Sequence, residues 1–293
     1  MSRFGRVVTA MVTPFRDDLS LNVDEAQRLA RHLVDSGSDG LVVAGSTGEG
    51  PTLTHEEKVT LFRAVADAVS GDAKVICGTG TYSTADTVEL TVQAAKTGAD
   101  GVLVVTPYYN KPPQHALLEH FRTVADASDL PVMLYDIPGR TALKIEVETL
   151  LKAAEHPRIQ AVKQATDDLT SLARLMAAVP DGFELYSGQD DWTLALQAWG
   201  ACGVVSVASH VVARKIGEQL DAFDRGDVES ARRAQASYVP LVQALFCTTN
   251  PIPVKAAMNL LGFKAGPPRP PLGEARPEEV AQVRSALQAA GAL

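Results

Sequence analysis

Eight short, almost unbroken apolar runs recur along the chain, each followed by a longer stretch of mixed polarity: VVTAMV (7–12), GLVVAG (40–45), KVICGT (74–79), GVLVVTP (101–107), PVMLYDI (131–137), IQAVKQA (159–165), FELYSG (183–188) and GVVSVAS (203–209). A strand with one face in water alternates apolar and polar residues, whereas a strand covered on both faces does not. Continuous Val, Ile and Leu runs therefore predict parallel strands enclosed by helices. The intervening stretches carry helical signals. Asn22 with Glu25, and Thr54 with Glu57, have capping-box spacing, followed by Ala26/Leu29/Ala30/Leu33 and Phe62/Val65/Ala66/Val69 at helical intervals.

Three segments also repeat one another: GSDGLVVAG (37–45), GADGVLVVT (98–106) and GACGVVSVA (200–208). The first glycine of each suits a left-handed helix C-terminus and the second a close approach of the incoming strand, which marks a repeated βα unit. Eight such units within 293 residues predict one closed (β/α)8 TIM barrel. An open doubly wound sheet would carry a glycine fingerprint after its first strand, and VTAMVTPF has none. Beyond about Arg225 the strand pattern stops. Helical patterns remain at 228–247, 252–261 and 277–290, interrupted by the Pro-rich GFKAGPPRPPLGEARP (262–277). The expected organisation is a barrel over 1–225 with a C-terminal helical appendage over 226–293.

Composition removes several functions. A net charge of -8 argues against nucleic acid, because polyanion binding needs clustered Lys and Arg. Three cysteines (Cys77, Cys202, Cys247) in apolar surroundings read as reduced core thiols, which fits a cytoplasmic protein. The start, MSRFGRVVTAMVTPF, meets Pro14 before any long apolar segment, so neither a secretory signal nor a membrane span is expected. The six histidines form no HExxH or His/Cys cluster and no GxSxG elbow is present, so neither a metal, a cofactor nor a serine nucleophile is expected.

The chemistry must come from what remains. Lys163 lies amid apolar residues of the sixth run, where desolvation would lower its pKa and supply the free amine that attacks a ketone. The same residue also reads as a strand-end lysine snorkelling to solvent, and position alone leaves the two even. After the second run, GSTGEGPTLTHEEK (45–58) sets Ser46 and Thr47 between glycines, where hydroxyls and backbone N–H groups could hold a small carboxylate; alone it reads equally as a polar turn, and it lacks the GK[ST] ending of a phosphate loop. TPYYNKPP (106–113) and LYDIPGRT (134–141) follow the fourth and fifth runs. They bring Tyr108, Tyr109, Tyr135 and Arg140 to the C-terminal face, where barrel enzymes assemble their sites. A phenol beside an imine can shuttle protons, and a guanidinium can clamp a carboxylate through two parallel hydrogen bonds.

With GSTGE, YYNKPP, YDIPGRT, VKQAT, YSGQDD and NPIPVKAAMNLLG in that order, the whole chain resembles the dihydrodipicolinate synthase / N-acetylneuraminate lyase family. The resemblance implies a (β/α)8 barrel, a helical C-terminal domain and a homotetramer built as a dimer of dimers. It implies Lys163 as the Schiff-base lysine and Tyr135 as proton donor and acceptor, with Ser46 and Tyr109 completing a hydroxyl relay, Tyr109 arriving from a neighbouring subunit. Thr47 would hold the pyruvate carboxylate, Gly188 and Val205 would line the pyruvate side, and Arg140 would grip the second substrate. The implied reaction is the condensation of pyruvate with L-aspartate 4-semialdehyde through an enamine.

Ser46 stands where the synthases usually have Thr, and Gln164 and Asp167 replace the acidic residue and glycine more usual after the lysine; Arg140 within YDIPGRT is a feature of the synthases rather than of the sugar-acid lyases. The competing readings are a lyase of a sugar-derived 2-keto acid such as N-acetylneuraminate or 2-keto-3-deoxygluconate, and a non-catalytic small-molecule-binding barrel. Some family members are inhibited by lysine. His55, Tyr108 and Asp86 suit such a site, whereas Gly50, Lys58 and Tyr82 replace Ser, His and Asn there, so inhibition is expected to be weak or absent. Should Lys58 face solvent instead, it would not oppose the ligand.

Overall fold

The computed structural model describes residues 2–293. Eight parallel strands close into a barrel in sequence order: β1 (Val7–Ala10), β2 (Gly40–Val43), β3 (Lys74–Gly78), β4 (Gly101–Val105), β5 (Val132–Asp136), β6 (Ile159–Gln164), β7 (Glu184–Ser187) and β8 (Gly203–Ser206), with β8 pairing back onto β1. The eight apolar runs are these eight strands. Successive side chains point to opposite faces, and both faces are buried. Val8, Val42, Ile76, Leu103, Met133, Ala161, Tyr186 and Val205 fill the barrel interior. Leu41, Val43, Val75, Val102, Leu134, Val162 and Val204 pack outward against the helices.

The repeated glycines act as their spacing predicts. Gly200 ends its turn at φ +95°, and a Cβ on Gly203 would stand 2.3 Å from the carbonyl oxygen of Arg6, so β8 can pack beside β1 only without a side chain there. Thr54 forms a complete capping box with Glu57. The Asn22 box forms only in half: Asn22 accepts from the Glu25 N–H, but the Glu25 carboxylate is drawn away by Arg28 and by the Lys264 N–H at 2.7 Å. A tertiary partner outcompetes the local one.

After the helix Ser209–Asp224 come three helices, Val228–Leu245, Ile252–Leu260 and Pro277–Ala289. Among the described residues no helix is long and apolar enough to cross a membrane. All three cysteines carry free thiols.

The Ile252–Leu260 helix is bound to the barrel by charge. Lys255 and Glu49 are both buried and their ion pair closes at 2.8 Å. Glu49 also accepts from the Arg269 N–H at 2.7 Å, while Arg269 clamps Glu57 with two guanidinium nitrogens. Lys255 and Arg269 each stand 4.2 Å from the centre of the Phe15 ring. Breaking such a pair by removing one partner strands a buried charge. Lys255→Met is therefore expected to cost about 3–5 kcal/mol, and Glu49→Gln/Lys255→Met to recover most of it. Thermal melts of the two variants check this; equal melting temperatures would show that the stranded carboxylate is not the cause.

Candidate active site

Lys163 and Tyr135 are register partners on β6 and β5, both directed into the barrel. The residues two before and two after Lys163 on the same face are Ala161 and Ala165, and their small side chains leave room for a lysine to extend along the barrel axis. Its Nζ lies 4.1 Å from the centre of the Tyr135 ring. Lys163 is 6 % exposed and so does not snorkel. Burial lowers its pKa from 10.5 to about 7, with the Arg140 charge acting in the same direction and Asp190 opposing. Half the population is then the free amine near neutrality. Burial likewise pushes the Tyr135 phenol up to about 12, against the pull of Arg140 and the Ser46 hydroxyl.

A cavity of about 540 Å³ opens above this pair, lined among others by Ser46, Thr47, Arg140, Lys163, Gly188 and Asp190. Ser46 and Thr47 follow β2 in a tight turn whose ends, Ala44 and Glu49, both adopt left-handed backbone at φ 54° and 55°. The turn is braced by the Gly50 N–H donating to the Gly45 carbonyl, by Thr13 donating to the Gly48 carbonyl, and by the buried Glu49 pair. Such conformations are unfavourable for residues with a Cβ and persist where the surroundings hold them. Arg140 sits in the one-turn helix Pro138–Thr141, solvent-exposed, and donates to the Asn250 carbonyl at 2.8 Å.

Six of the eight residues expected from the sequence therefore meet at one cavity. Val205 is a residue of the barrel interior packed in the same cluster as Tyr135, and Val207, two residues on, reaches the cavity wall. Tyr109 stands apart within a single chain: it is 89 % exposed, on a loop where it and Lys111 both take positive φ.

A second cavity, of about 290 Å³, adjoins the first through Ser46, Tyr135, Arg140 and Asn250, and is lined also by Gly50, Lys58 and Tyr108. Lys58 is buried at 6 % exposure, not solvent-facing, and desolvation lowers its pKa against the attraction of Asp86. Tyr82 packs edge-to-face on Tyr108 with ring centres 5.6 Å apart.

The sequence model of the Dihydrodipicolinate synthetase family matches residues 3–290. The chain belongs to that family. A 4-hydroxy-tetrahydrodipicolinate synthase from Desulforudis audaxviator is 51 % identical over 290 residues, 99 % of each chain. A solved structure of the synthase from Cyanidioschyzon merolae with lysine bound superposes with a TM-score of 0.98 at 47 % identity, covering 100 % of both chains. The dihydrodipicolinate synthase from Bacillus anthracis gives a TM-score of 0.95 at 40 % identity, covering 98 % of this chain and 99 % of that one.

Three further residues line these cavities without a motif of their own to mark them. Asp190, within YSGQDD, is a fully buried carboxylate that accepts from the Ser206 hydroxyl and from the Val207 and Ala208 N–H groups at 3.0 and 3.1 Å. Burial raises its pKa while those donors and Lys163 oppose. Glu49, within GSTGE, and Asn250, before PIPVK, were visible only as motif letters. Nothing in their local sequence shows that a segment some 200 residues later folds back over the Ser46 turn.

Proposed function

We propose that this chain condenses pyruvate with L-aspartate 4-semialdehyde to 4-hydroxy-tetrahydrodipicolinate, as the names of its relatives indicate for them. The observation that carries the reading is the buried Lys163, desolvated to a pKa of about 7 at the floor of a cavity that also presents Thr47 and Arg140. The neutral amine adds to the ketone of pyruvate. The carbinolamine loses water, Tyr135 giving a proton to the departing hydroxyl, and an iminium on Lys163 results. Loss of a methyl proton gives the enamine, which attacks the aldehyde carbon. The amine of the second substrate then displaces Lys163 and closes the ring.

Thr47 holds the pyruvate carboxylate and Arg140 the carboxylate of the aldehyde, while Gly188 and Val205 shape the pyruvate side. Ser46 and Tyr109 extend the proton relay from Tyr135, with Tyr109 supplied by a neighbouring copy; its exposed, conformationally constrained loop supports that role. The working assembly is then a homo-oligomer, a dimer of dimers, in a reducing cytoplasm that suits the free thiols. The division at 225/226 belongs to the same proposal, with the helical unit contributing Asn250 and Lys255 to the barrel's mouth.

Incubating purified protein with pyruvate and each candidate aldehyde, and following the product, tests the reading. Turnover of N-acetylneuraminate with none of aspartate semialdehyde would replace it.

Lysine is expected to inhibit weakly. The buried Lys58 in the second cavity would oppose a ligand ammonium by about 1 kcal/mol at 4 Å even at the dielectric of water, and by more where solvent is excluded. Half-inhibition well below about 1 mM L-lysine, the range of a genuine micromolar site, would defeat this expectation.

A further inference from the structure

We infer that Asn250 is a positioning residue whose side-chain N–H, in the orientation present, leaves the Thr47 hydroxyl as a donor toward the cavity. The inference rests on the proposed role of Thr47 in holding the pyruvate carboxylate. Asn250 is buried, lines both cavities, and donates from its side-chain Nδ2 to Thr47 Oγ1 at 2.9 Å. A free threonine hydroxyl either donates or accepts, but an amide N–H only donates. Thr47 is therefore the acceptor in this bond, and its own proton has no acceptor among the described residues. That proton is left for a ligand, and the partner it suits is an anion, a carboxylate first among them.

Asn250 Oδ1 is buried without a hydrogen-bond partner. Rotating the amide by half a turn would bring Oδ1 onto Thr47, where it would take the hydroxyl proton and close the site to an anion. The two orientations are thus an open and a closed state of one donor, and a bound carboxylate selects the open one.

Asn250 also reaches the other proposed carboxylate group, but by a different atom: its main-chain carbonyl accepts from Arg140. A side-chain substitution removes the Thr47 contact and leaves the Arg140 contact in place, so the two substrates separate the effects. Asn250→Ala is expected to raise KM for pyruvate about tenfold, the effect of one hydrogen bond to a charged group, with kcat and KM for the aldehyde changed less than about twofold. Asn250→Asp offers only acceptors, takes the Thr47 proton and adds a like charge; its pyruvate KM should rise about a hundredfold or more.

The decisive measurement is a double-mutant cycle with Thr47→Val. If Asn250 acts through the hydroxyl, Asn250→Ala in the Thr47→Val background has no further effect on pyruvate KM. Additive losses, an unchanged pyruvate KM in Asn250→Ala, or an equal rise in both KM values would overturn the inference. Borohydride trapping at saturating pyruvate keeps the two levels apart: wild-type protein that fails to trap on Lys163 refutes the proposed function, whereas normal trapping with an additive cycle refutes only the role of Asn250. A variant that lacks the wild-type thermal unfolding transition is misfolded, and Asn250→Ser then takes its place in the cycle.

Discussion

Borohydride reduction in the presence of pyruvate is expected to attach a three-carbon unit to Lys163 and to no other lysine. Three lysines are buried among the described residues, which makes the selectivity informative. Lys255 is locked against Glu49, and Lys58 lies in the adjoining cavity with its pKa also lowered by desolvation. If low basicity alone decided reactivity, Lys58 would trap as well. Lys163 differs in standing over the Tyr135 phenol within the cavity that contains Thr47. Peptide mapping of the reduced adduct decides between them, and modification at Lys58 instead would sink the mechanism. Lys163→Ala should lower turnover by about 10⁴-fold or more, the scale of losing a covalent nucleophile, whereas a chelator should leave the wild type unaffected.

The pH dependence of trapping follows from the same group. Below a pKa of about 7 the amine is protonated, so the initial rate should fall about tenfold per pH unit under that point and level off above it. Stability moves with it. The native state disfavours the ammonium, so between the native value near 7 and the unfolded value near 10.5 the unfolded chain binds more protons at this site, and its contribution to stability rises with pH across that window. Lys163→Met should accordingly stabilise the protein more at pH 6 than at pH 10. A larger gain at pH 10 would mean that the lysine is not desolvated as described.

Arg140→Ala is expected to lower kcat/KM for aspartate semialdehyde by about 10²-fold, the loss of a charge-assisted pair of hydrogen bonds, while sparing imine formation with pyruvate. The comparison needs a chosen pH. The Arg140 charge helps to hold the Lys163 pKa down, so its removal raises that pKa and slows trapping near neutrality for a reason unrelated to the second substrate. Above about pH 8.5 most of the amine is free in both proteins, and the trapping rates should agree within about threefold. Arg140→Lys keeps the charge but not the fork, and should restore trapping at pH 7 without restoring use of the aldehyde. Equal loss of both activities at high pH would refute the division of roles.

How far the sequence reached is clearest at particular residues. The eight strands were legible because burial on both faces forces an apolar run whatever the neighbours are, and Gly200 and Gly203 because a left-handed turn and a 2.3 Å approach exclude any side chain. Lys163 was legible as a candidate for the same reason: a charged residue inside a strand of a packed barrel needs an explanation. Its choice between nucleophile and snorkelling residue was not legible, since that depends on whether Ala161 and Ala165 open a path inward and on what lies at its end. The burial of Lys58 is not legible in its helix position, which does not say which face a distant loop will cover. Asn250 and the Glu49–Lys255 pair carry no local signal at all. Hydrophobic periodicity and turn chemistry act over a few residues and are written in the chain. The direction of the Thr47 hydroxyl depends on a contact across 203 positions, and only the closed barrel with its returning helices brings those two side chains together.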